Sequence, residues 1–234
     1  MIYITGDTHG EFSRFSSSRF PQGRELTKND YLIILGDYGG FWDNQQSDAE
    51  KYWQEWLGKK SWTTLFLDGN HENFNRLDSF PTEERFGGIV GVTHKTFPIY
   101  HLKRGEVYTI DNKKIFVFGG GYSIDILRRT PNISWWEREM PNYKEYQNGL
   151  DNLKIHDNKV DYIMTHSCSN IDFEKIKIKY NMIEKIAEPE LPLRNYFDEI
   201  RKNISYKKWY CGHFHVEDNT NDKIDFLYES IVKI

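Results

Sequence analysis

Five short motifs along the chain contain aspartate, asparagine or histidine, and each follows directly after an apolar run of strand length. The runs cover residues 2–4, 31–35, 63–67, 162–164 and 208–211 and are rich in β-branched and aromatic residues, so they predict β-strands. Side chains beyond the carboxyl ends of strands in an open α/β sheet meet at one site. We therefore expect the following residues to converge: Asp7, His9, Asp37, Asn70, His71, His166, His213 and His215.

These residue types suit a pair of divalent metal ions. Without His71, they supply two carboxylates, one amide oxygen and four imidazoles, a donor set that favours Mn²⁺, Fe²⁺, Zn²⁺ or Ni²⁺. Two such ions about 3.5–4 Å apart can clamp a phosphoryl group and lower the pKa of a bound water. Asp37 ends a central apolar run and has two carboxylate oxygens, so it is the expected bridge. His71 is then left as the proton donor to the leaving group.

In two of the motifs, one residue lies between the two candidate ligands. Asp7 and His9 have this spacing, and so do His213 and His215. In an extended segment, residues with this spacing point to the same side. Such a pair can therefore bind one ion.

Each motif taken alone has a simpler explanation in turn chemistry, because Gly, Asn and Asp commonly follow strands. The ordered set is more specific, since five of the eight histidines come directly after apolar runs. His94, His101 and His156 do not, and we expect them to be surface or hydrogen-bonded histidines. Cys168 and Cys211 are expected to be small buried residues.

Composition predicts a soluble domain of enzyme size. A chain of 234 residues with 38% hydrophobic residues can bury a substantial single core. No stretch approaches the roughly 18 apolar residues of a membrane span, and residues 1–5 lead straight into Asp7, so we expect no membrane segment and no cleaved leader.

The two cysteines form no disulfide framework, which favours the reducing cytoplasm. The formal charge of −4 argues only weakly against a nucleic-acid-binding surface, but a stable nucleic-acid complex is not expected. The sequence does not indicate an oligomeric state.

Other elements are predicted between the motifs. Ser47 and Glu50 form a capping-box pattern, which predicts a helix whose residues 49, 52, 53, 56 and 57 face the core. Helices are also predicted over 142–153 and 193–203, and strands over 99–102, 107–110, 115–118 and 224–228. This order predicts a layered α/β fold. We expect one domain over 1–234, with a substrate-recognition insertion at about 119–150.

The motifs resemble those of the calcineurin-like metallophosphoesterase superfamily, in which D-x-H, G-D, G-N-H-[D/E], a later H and G-H-x-H occur in this order. All five are present here. The resemblance implies a double β-sheet sandwich flanked by helices, with a dinuclear site at its edge. It assigns Asp7, His9, Asp37 and His215 to the first metal, Asp37, Asn70, His166 and His213 to the second, and His71 as the catalytic histidine. The compact length and the run 36–42 are most similar to small bacterial and phage members.

Two departures narrow the subgroup. Phosphoprotein phosphatases carry an Asp-Arg-Gly after the second motif, whose Arg binds phosphate and whose Asp orients the catalytic histidine; here Gly40, Phe41 and Trp42 follow. Purple acid phosphatases need a metal-binding Tyr three residues after the bridging Asp, where this chain has Gly40, so a charge-transfer Fe³⁺ centre is not expected. Asp43 and Glu72 are the candidates for orienting His71.

Substrate contacts are expected from the segment that follows the predicted strand 115–118. Arg128 and Arg129 could pair bidentately with phosphate oxygens, and Trp135 or Trp136 could stack on a base. The alternative for the two tryptophans is packing in the core or in a lid.

Two classes of function follow from these observations. The first is a metal-dependent phosphoesterase that uses two divalent ions, with Mn²⁺ expected first, on a small phosphorylated molecule. A nucleotide, a cyclic or dinucleotide, or a nucleic-acid end would fit, and monoester and diester cleavage both remain open. Within this class, a Ser/Thr-type phosphoprotein phosphatase is the alternative, favoured by residues 6–10 and disfavoured by the missing arginine. The second class is a scaffold that kept the fold without turnover, although all eight positions hold competent residues.

Overall fold

Two β-sheets packed together form the centre of the molecule. The structure is a computed structural model that describes residues 1–182, 188–219 and 223–234. Within these residues the strands are β1 (Ile2–Thr5), β2 (Tyr31–Leu35), β3 (Thr63–Leu67), β4 (Thr82–Arg85), β5 (Gly88–Val92), β6 (Tyr100–Leu102), β7 (Val107–Ile110), β8 (Lys113–Phe118), β9 (Tyr162–Thr165), β10 (Lys208–Cys211), β11 (Ile224–Phe226) and β12 (Ile231–Lys233). The α-helices are α1 (Asp48–Gly58), α2 (Phe74–Ser79), α3 (Tyr143–Ile155), α4 (Asn170–Lys179) and α5 (Leu191–Asn203).

Both sheets have a parallel centre. The first has the order β12-β1-β2-β3-β6-β5-β4, in which β1, β2, β3 and β6 are parallel and β12, β5 and β4 are antiparallel to their neighbours. The second has the order β11-β10-β9-β8-β7, and only β7 is antiparallel. Since parallel strands end at the same edge, the loops after β1, β2 and β3 meet, as do those after β9 and β10.

The strands of the first sheet have two apolar faces. In β1, Ile2 and Ile4 belong to the cluster between the sheets, which also includes Val117 and Met164 of the second sheet. Tyr3 belongs to the cluster on the outer face, with Leu57 of α1. The second sheet is covered in the same way by a cluster that includes residues of α3, α4 and α5. Sheets buried on both faces explain the continuous apolar runs, and the predicted double sandwich flanked by helices is confirmed.

The predicted core face of α1 is confirmed for Trp53, Trp56 and Leu57 but is wrong for Ala49 and Tyr52, which are exposed. Ser47 does cap the helix by accepting the Glu50 N–H, but the Glu50 carboxylate pairs with Arg76 instead of closing a capping box. The buried side includes Glu50 and Gln54, whereas Tyr52 is 59% exposed. Gln54 is buried because its side chain accepts a hydrogen bond from the Tyr38 hydroxyl group. The periodicity of apolar residues cannot reveal such a hydrogen bond.

The other predicted elements are present with small shifts at their ends. A complete capping box occurs at α3, where Asn142 and Glu145 each bond to the other's backbone N–H. In the part of the chain that the structure describes, no helix has the length and apolar character needed to cross a membrane.

Candidate metal centre

The ligand motifs lie in turns beyond the strand ends, and several of their residues have left-handed backbone conformations. The φ angles of His9, Asp37, His213 and His215 are 46°, 45°, 70° and 53°. Such angles are uncommon for residues other than glycine and cluster at functional sites. The expectation that alternation in an extended segment pairs the ligands is therefore wrong, because turns bring these side chains together.

Three residues form one half of the centre, here called the outer half: Asp7, His9 and His215. Asp7 Oδ2 lies 3.0 Å from His215 Nε2 and 3.7 Å from His9 Nε2. The two imidazole Nε2 atoms are 3.0 Å apart. With one oxygen of Asp37, these side chains place four ligand atoms within 4.8 Å of one another.

Asp37 lies between two groups of ligands. Its Oδ2 is 3.7 Å from His9 Nε2, and its Oδ1 is 3.4 Å from His166 Nε2. Oδ1 also accepts the His71 N–H at 2.7 Å. Burial alone would raise the pKa of Asp37, but the imidazoles of His166, His71 and His9 lower it to about 2. The carboxylate is therefore ionised and faces both groups.

The second group, here called the inner half, consists of Asn70, His166 and His213. His166 Nε2 lies 3.1 Å from Asn70 Oδ1, and the rings of His166 and His213 have centroids 4.7 Å apart. His166 Nδ1 lies 2.8 Å from the carbonyl oxygen of Leu35 and donates to it, which leaves the Nε2 lone pair facing Asn70 and Asp37.

Two buried residues that the sequence did not single out support the inner half. Asn70 Nδ2 donates to Ser123 Oγ at 3.1 Å, which turns the amide oxygen toward His166. Glu190 Oε1 lies 3.2 Å from His213 Nε2. Burial would raise the pKa of Glu190, but His213 lowers it below its ordinary value. Glu190 precedes α5, far from any motif in the sequence, so no local pattern could have identified it.

His71 and Arg129 face the same cleft. Arg129 Nη2 lies 3.3 Å from His71 Nε2, while its Nε donates to Asp125 and its Nη1 donates to the Ser134 carbonyl. Burial lowers the pKa of His71 to about 4, with a further contribution from Arg129. The imidazole is therefore neutral near pH 7 in this state, and a bound phosphate anion would favour its protonation.

Neither Asp43 nor Glu72, the two predicted candidates for orienting the His71 ring, forms a hydrogen bond with that ring. Glu72 is fully buried, and its Oε1 accepts the Tyr38 N–H at 2.6 Å, so it holds the loop after Asp37. Asp43 is exposed, and its carbonyl oxygen accepts a hydrogen bond from Arg76. The group at hydrogen-bond distance from the His71 ring is Arg129.

The structure separates the four residues predicted to contact substrate. Arg129 lines the cleft, whereas Arg128 is exposed and is not part of its lining. Trp136 is 2% exposed and packs edge-on against Trp42, whose ring lies beside His71. The base-stacking interpretation of Trp136 is therefore replaced by core packing. Trp135 is half-buried and lies outside the cleft lining, in a bridge with Pro131.

The remaining histidines and cysteines lie apart from the centre or beneath it. His101 is buried, with Nε2 3.0 Å from Asp68 Oδ1, and His94 Nδ1 accepts two backbone N–H groups. Cys168 and Cys211 are free and fully buried, in agreement with the expectation of small buried residues.

The residues of the outer half, together with Asp37, fit a divalent metal ion. Asp7 Oδ2 is buried and accepts no hydrogen bond within the described residues, although a buried carboxylate oxygen normally has a partner. A Cβ at Gly69 would clash with Asp37 Oδ1, so glycine leaves room for the Asp37 carboxylate. Carboxylate, amide and imidazole donors match the preferences of Mn²⁺, Fe²⁺, Zn²⁺ and Ni²⁺.

Comparisons with known proteins identify the family of the chain. The family model described as calcineurin-like phosphoesterase matches residues 1–217. No curated protein matches the chain. Among solved structures, a Staphylococcus aureus protein assigned as a 5′-nucleotidase, in complex with alpha-ketoglutarate, is similar at 12% identity with a TM-score of 0.44. The match covers 97% of this chain and 48% of that one, so this chain spans about half its length.

Proposed function

Since the chain belongs to the calcineurin-like phosphoesterase family, we propose that it is a dinuclear metal-dependent phosphoesterase. The observation that carries this proposal is the orientation of Asp37. Its two oxygens lie 3.7 Å from His9 Nε2 and 3.4 Å from His166 Nε2, so one carboxylate serves both halves. Intact ligands and an intact His71 also argue against a scaffold without turnover.

The two ions proposed for this centre would be Mn²⁺ first, with Fe²⁺, Zn²⁺ and Ni²⁺ as alternatives. When bound, they would supply Lewis acidity and a nucleophile at neutral pH. Asp7, His9 and His215 would hold one ion, Asn70, His166 and His213 would hold the other, and Asp37 would bridge them.

His71 and Arg129 have separate proposed roles in the cleft. The Arg129 guanidinium, held at Asp125 and Ser134, would donate to non-bridging phosphate oxygens. His71, fixed through its backbone N–H to Asp37, would give a proton to the leaving oxygen. Arg129 thus supplies the phosphate contact that the absent Asp-Arg-Gly cannot.

The size of the cleft favours a small substrate. Its volume is about 280 Å³, at the lower end of the roughly 300–1,000 Å³ typical of small-molecule pockets. Tyr122, Ile124 and Phe214 provide apolar wall beside the charged groups, which suits the base or sugar of a nucleotide. We propose the segment 119–150, which includes Tyr122 and Arg129, as the recognition element. A phosphoprotein substrate remains the alternative, and monoester and diester cleavage both remain open.

We also propose that the protein works in the cytoplasm. Cys168 and Cys211 lie beside ligand motifs, two residues after His166 and two before His213. Both thiols are free and buried, and a reducing compartment would keep them so.

A substrate panel combined with arginine variants tests these proposals. Activity would be measured on p-nitrophenyl phosphate, bis-p-nitrophenyl phosphate, nucleotides and phosphopeptides with Mn²⁺, Ni²⁺, Zn²⁺ or Mg²⁺. Arg129→Ala should lower kcat/KM about ten- to a hundredfold, because a hydrogen bond to a charged group contributes about 1.5–3 kcal/mol. Arg128→Ala, the adjacent exposed arginine, is the matched control and should keep full activity. Full activity of Arg129→Ala on every substrate would contradict its role.

A further inference from the structure

A buried carboxylate that belongs to none of the ligand motifs lies against the inner half. Glu190 is 3% exposed and forms part of the cleft wall beside His213. We propose that Glu190 is a positioning residue that pairs with the Nε2–H group of His213 and so presents Nδ1 of that ring to the inner metal ion. This inference rests on the proposed function, because it requires an ion in the inner half.

The contact between the two side chains indicates which ring nitrogen of His213 carries the proton. Glu190 Oε1 forms an ion-pair contact with His213 Nε2 at 3.2 Å, and this buried oxygen has no hydrogen-bond partner in the described part of the chain. A carboxylate only accepts, so Nε2 must carry the proton. The lone pair of the neutral ring is then on Nδ1. The backbone of His213 is fixed separately, since its N–H donates to Asp7 Oδ1 at 2.8 Å.

The neighbouring ligand His166 shows the same division between its two nitrogens. Its Nδ1 bonds to the Leu35 carbonyl oxygen at 2.8 Å, and its Nε2 faces Asn70 and Asp37. Metal-binding histidines generally donate their second N–H to a carboxylate or a carbonyl, which fixes the tautomer and raises the basicity of the ligand nitrogen. For His213 this partner is Glu190, which is the charged type, a carboxylate.

Glu190 is itself held in place by the start of α5. It is the N-terminal flanking residue of that helix, and its Oε2 lies 3.8 Å from Nε of Arg194, one turn along. A buried carboxylate is costly without partners, and here Arg194 and His213 lie on its two oxygens. A purely structural role would use the Arg194 pair alone. The positioning role requires the His213 contact.

Metal titration of the stripped protein separates these roles without relying on activity. Glu190→Gln keeps the shape but removes the charge, and Glu190→Ala removes the acceptor. We expect a two-site Mn²⁺ isotherm in which the Gln and Ala variants weaken one site by about 10- to 100-fold and leave the other unchanged. Glu199→Gln, the same change at an exposed position of α5, should leave both sites unchanged. In the Zn²⁺-loaded protein, long-range ¹H–¹⁵N spectra should show His213 protonated at Nε2 in the wild type and no longer in that fixed state in Glu190→Ala.

The Arg194→Met variant provides the structural comparison. It should lower the melting temperature but keep both metal affinities, because the His213 contact remains. Unchanged isotherms and tautomer in both Glu190 variants would overturn the inference while leaving the proposed function standing. Equal loss of inner-half affinity in Arg194→Met would also overturn it, in favour of a packing role. A wild-type protein that binds no metal would overturn the proposed function, and the inference with it.

Discussion

The two halves of the candidate centre use similar ligands in different surroundings. In the outer half, the side chains of His9 and His215 are 34% and 42% exposed. In the inner half, His166 is fully buried and His213 is 15% exposed. In the inner half, Asn70 and His166 are also hydrogen-bonded, to Ser123 and to the Leu35 carbonyl, and His213 is paired with Glu190. The His215 ring is stacked on Tyr228.

The two halves therefore differ in how far their side chains are already fixed in the absence of a metal ion. Side chains that are already fixed lose little conformational entropy on binding, so pre-organised sites bind more tightly. The two Nε2 atoms of the outer half lie 3.0 Å apart and must separate or share an ion as it enters. The side chains of the inner half are therefore the more pre-organised, whereas those of the outer half would be fixed only when an ion binds.

The largest effect is expected from Asp37→Asn, because this carboxylate belongs to both halves. The amide offers one oxygen and no charge, so both ions should bind more weakly and turnover should be lost. Elemental analysis after dialysis should show fewer than two ions per chain. Asp43→Asn, on the exposed loop nearby, is the control and should keep both ions. Full metal content in Asp37→Asn would contradict the proposal that Asp37 bridges the two halves.

His71→Ala should separate catalysis from metal binding. The hydrogen bond from His71 to Asp37 is made by the backbone N–H, so loss of the His71 side chain should leave both halves loaded. Turnover should fall by about 10²–10⁴-fold, as for the removal of a general acid. The loss should be smaller for substrates that release p-nitrophenolate, which needs little protonation. Equal losses for good and poor leaving groups would assign His71 to substrate positioning instead.

The sequence predicted which residues meet, but not how the two halves differ. Strand-length apolar runs predicted where these side chains meet, because strands with two buried faces are apolar throughout. The hairpin strand β4 was not predicted, since all four of its residues are exposed and show no alternation. The turns at His9 and His213 were not predicted either, because a positive φ is uncommon for every residue except glycine, even for histidine. Glu190 reaches His213 only through the tertiary fold.

A chelator should remove the outer-half ion first. We expect a titration with EDTA to release the metal in two steps, with site affinities that differ by at least about tenfold. His215→Ala should abolish the step at low chelator concentration, and His166→Ala should abolish the step at high concentration. Release of both ions in one step, or the opposite pattern in the two variants, would show that exposure does not determine which half binds metal more weakly.

The smallest effect is expected from Gly121→Ala, which tests the inner half alone. A Cβ at this position would lie 3.2 Å from Asn70 Oδ1, His166 Cδ2 and His213 Cε1. These contacts are tighter than normal, so the ligands must shift by a few tenths of an ångström. We expect a loss of inner-half Mn²⁺ affinity at or below the lower end of the about 10–100-fold range for second-shell changes.

Gly91→Ala is the matched control for this change. Its Cβ would lie 3.3 Å from the Cβ of His101, in β5 and away from both halves. It should leave the two-site isotherm unchanged, whereas Gly121→Ala should weaken one site only. If Gly121→Ala weakened both sites equally, the two halves would be mechanically coupled through Asp37. The inner half could then no longer be treated as a preformed site independent of the outer one.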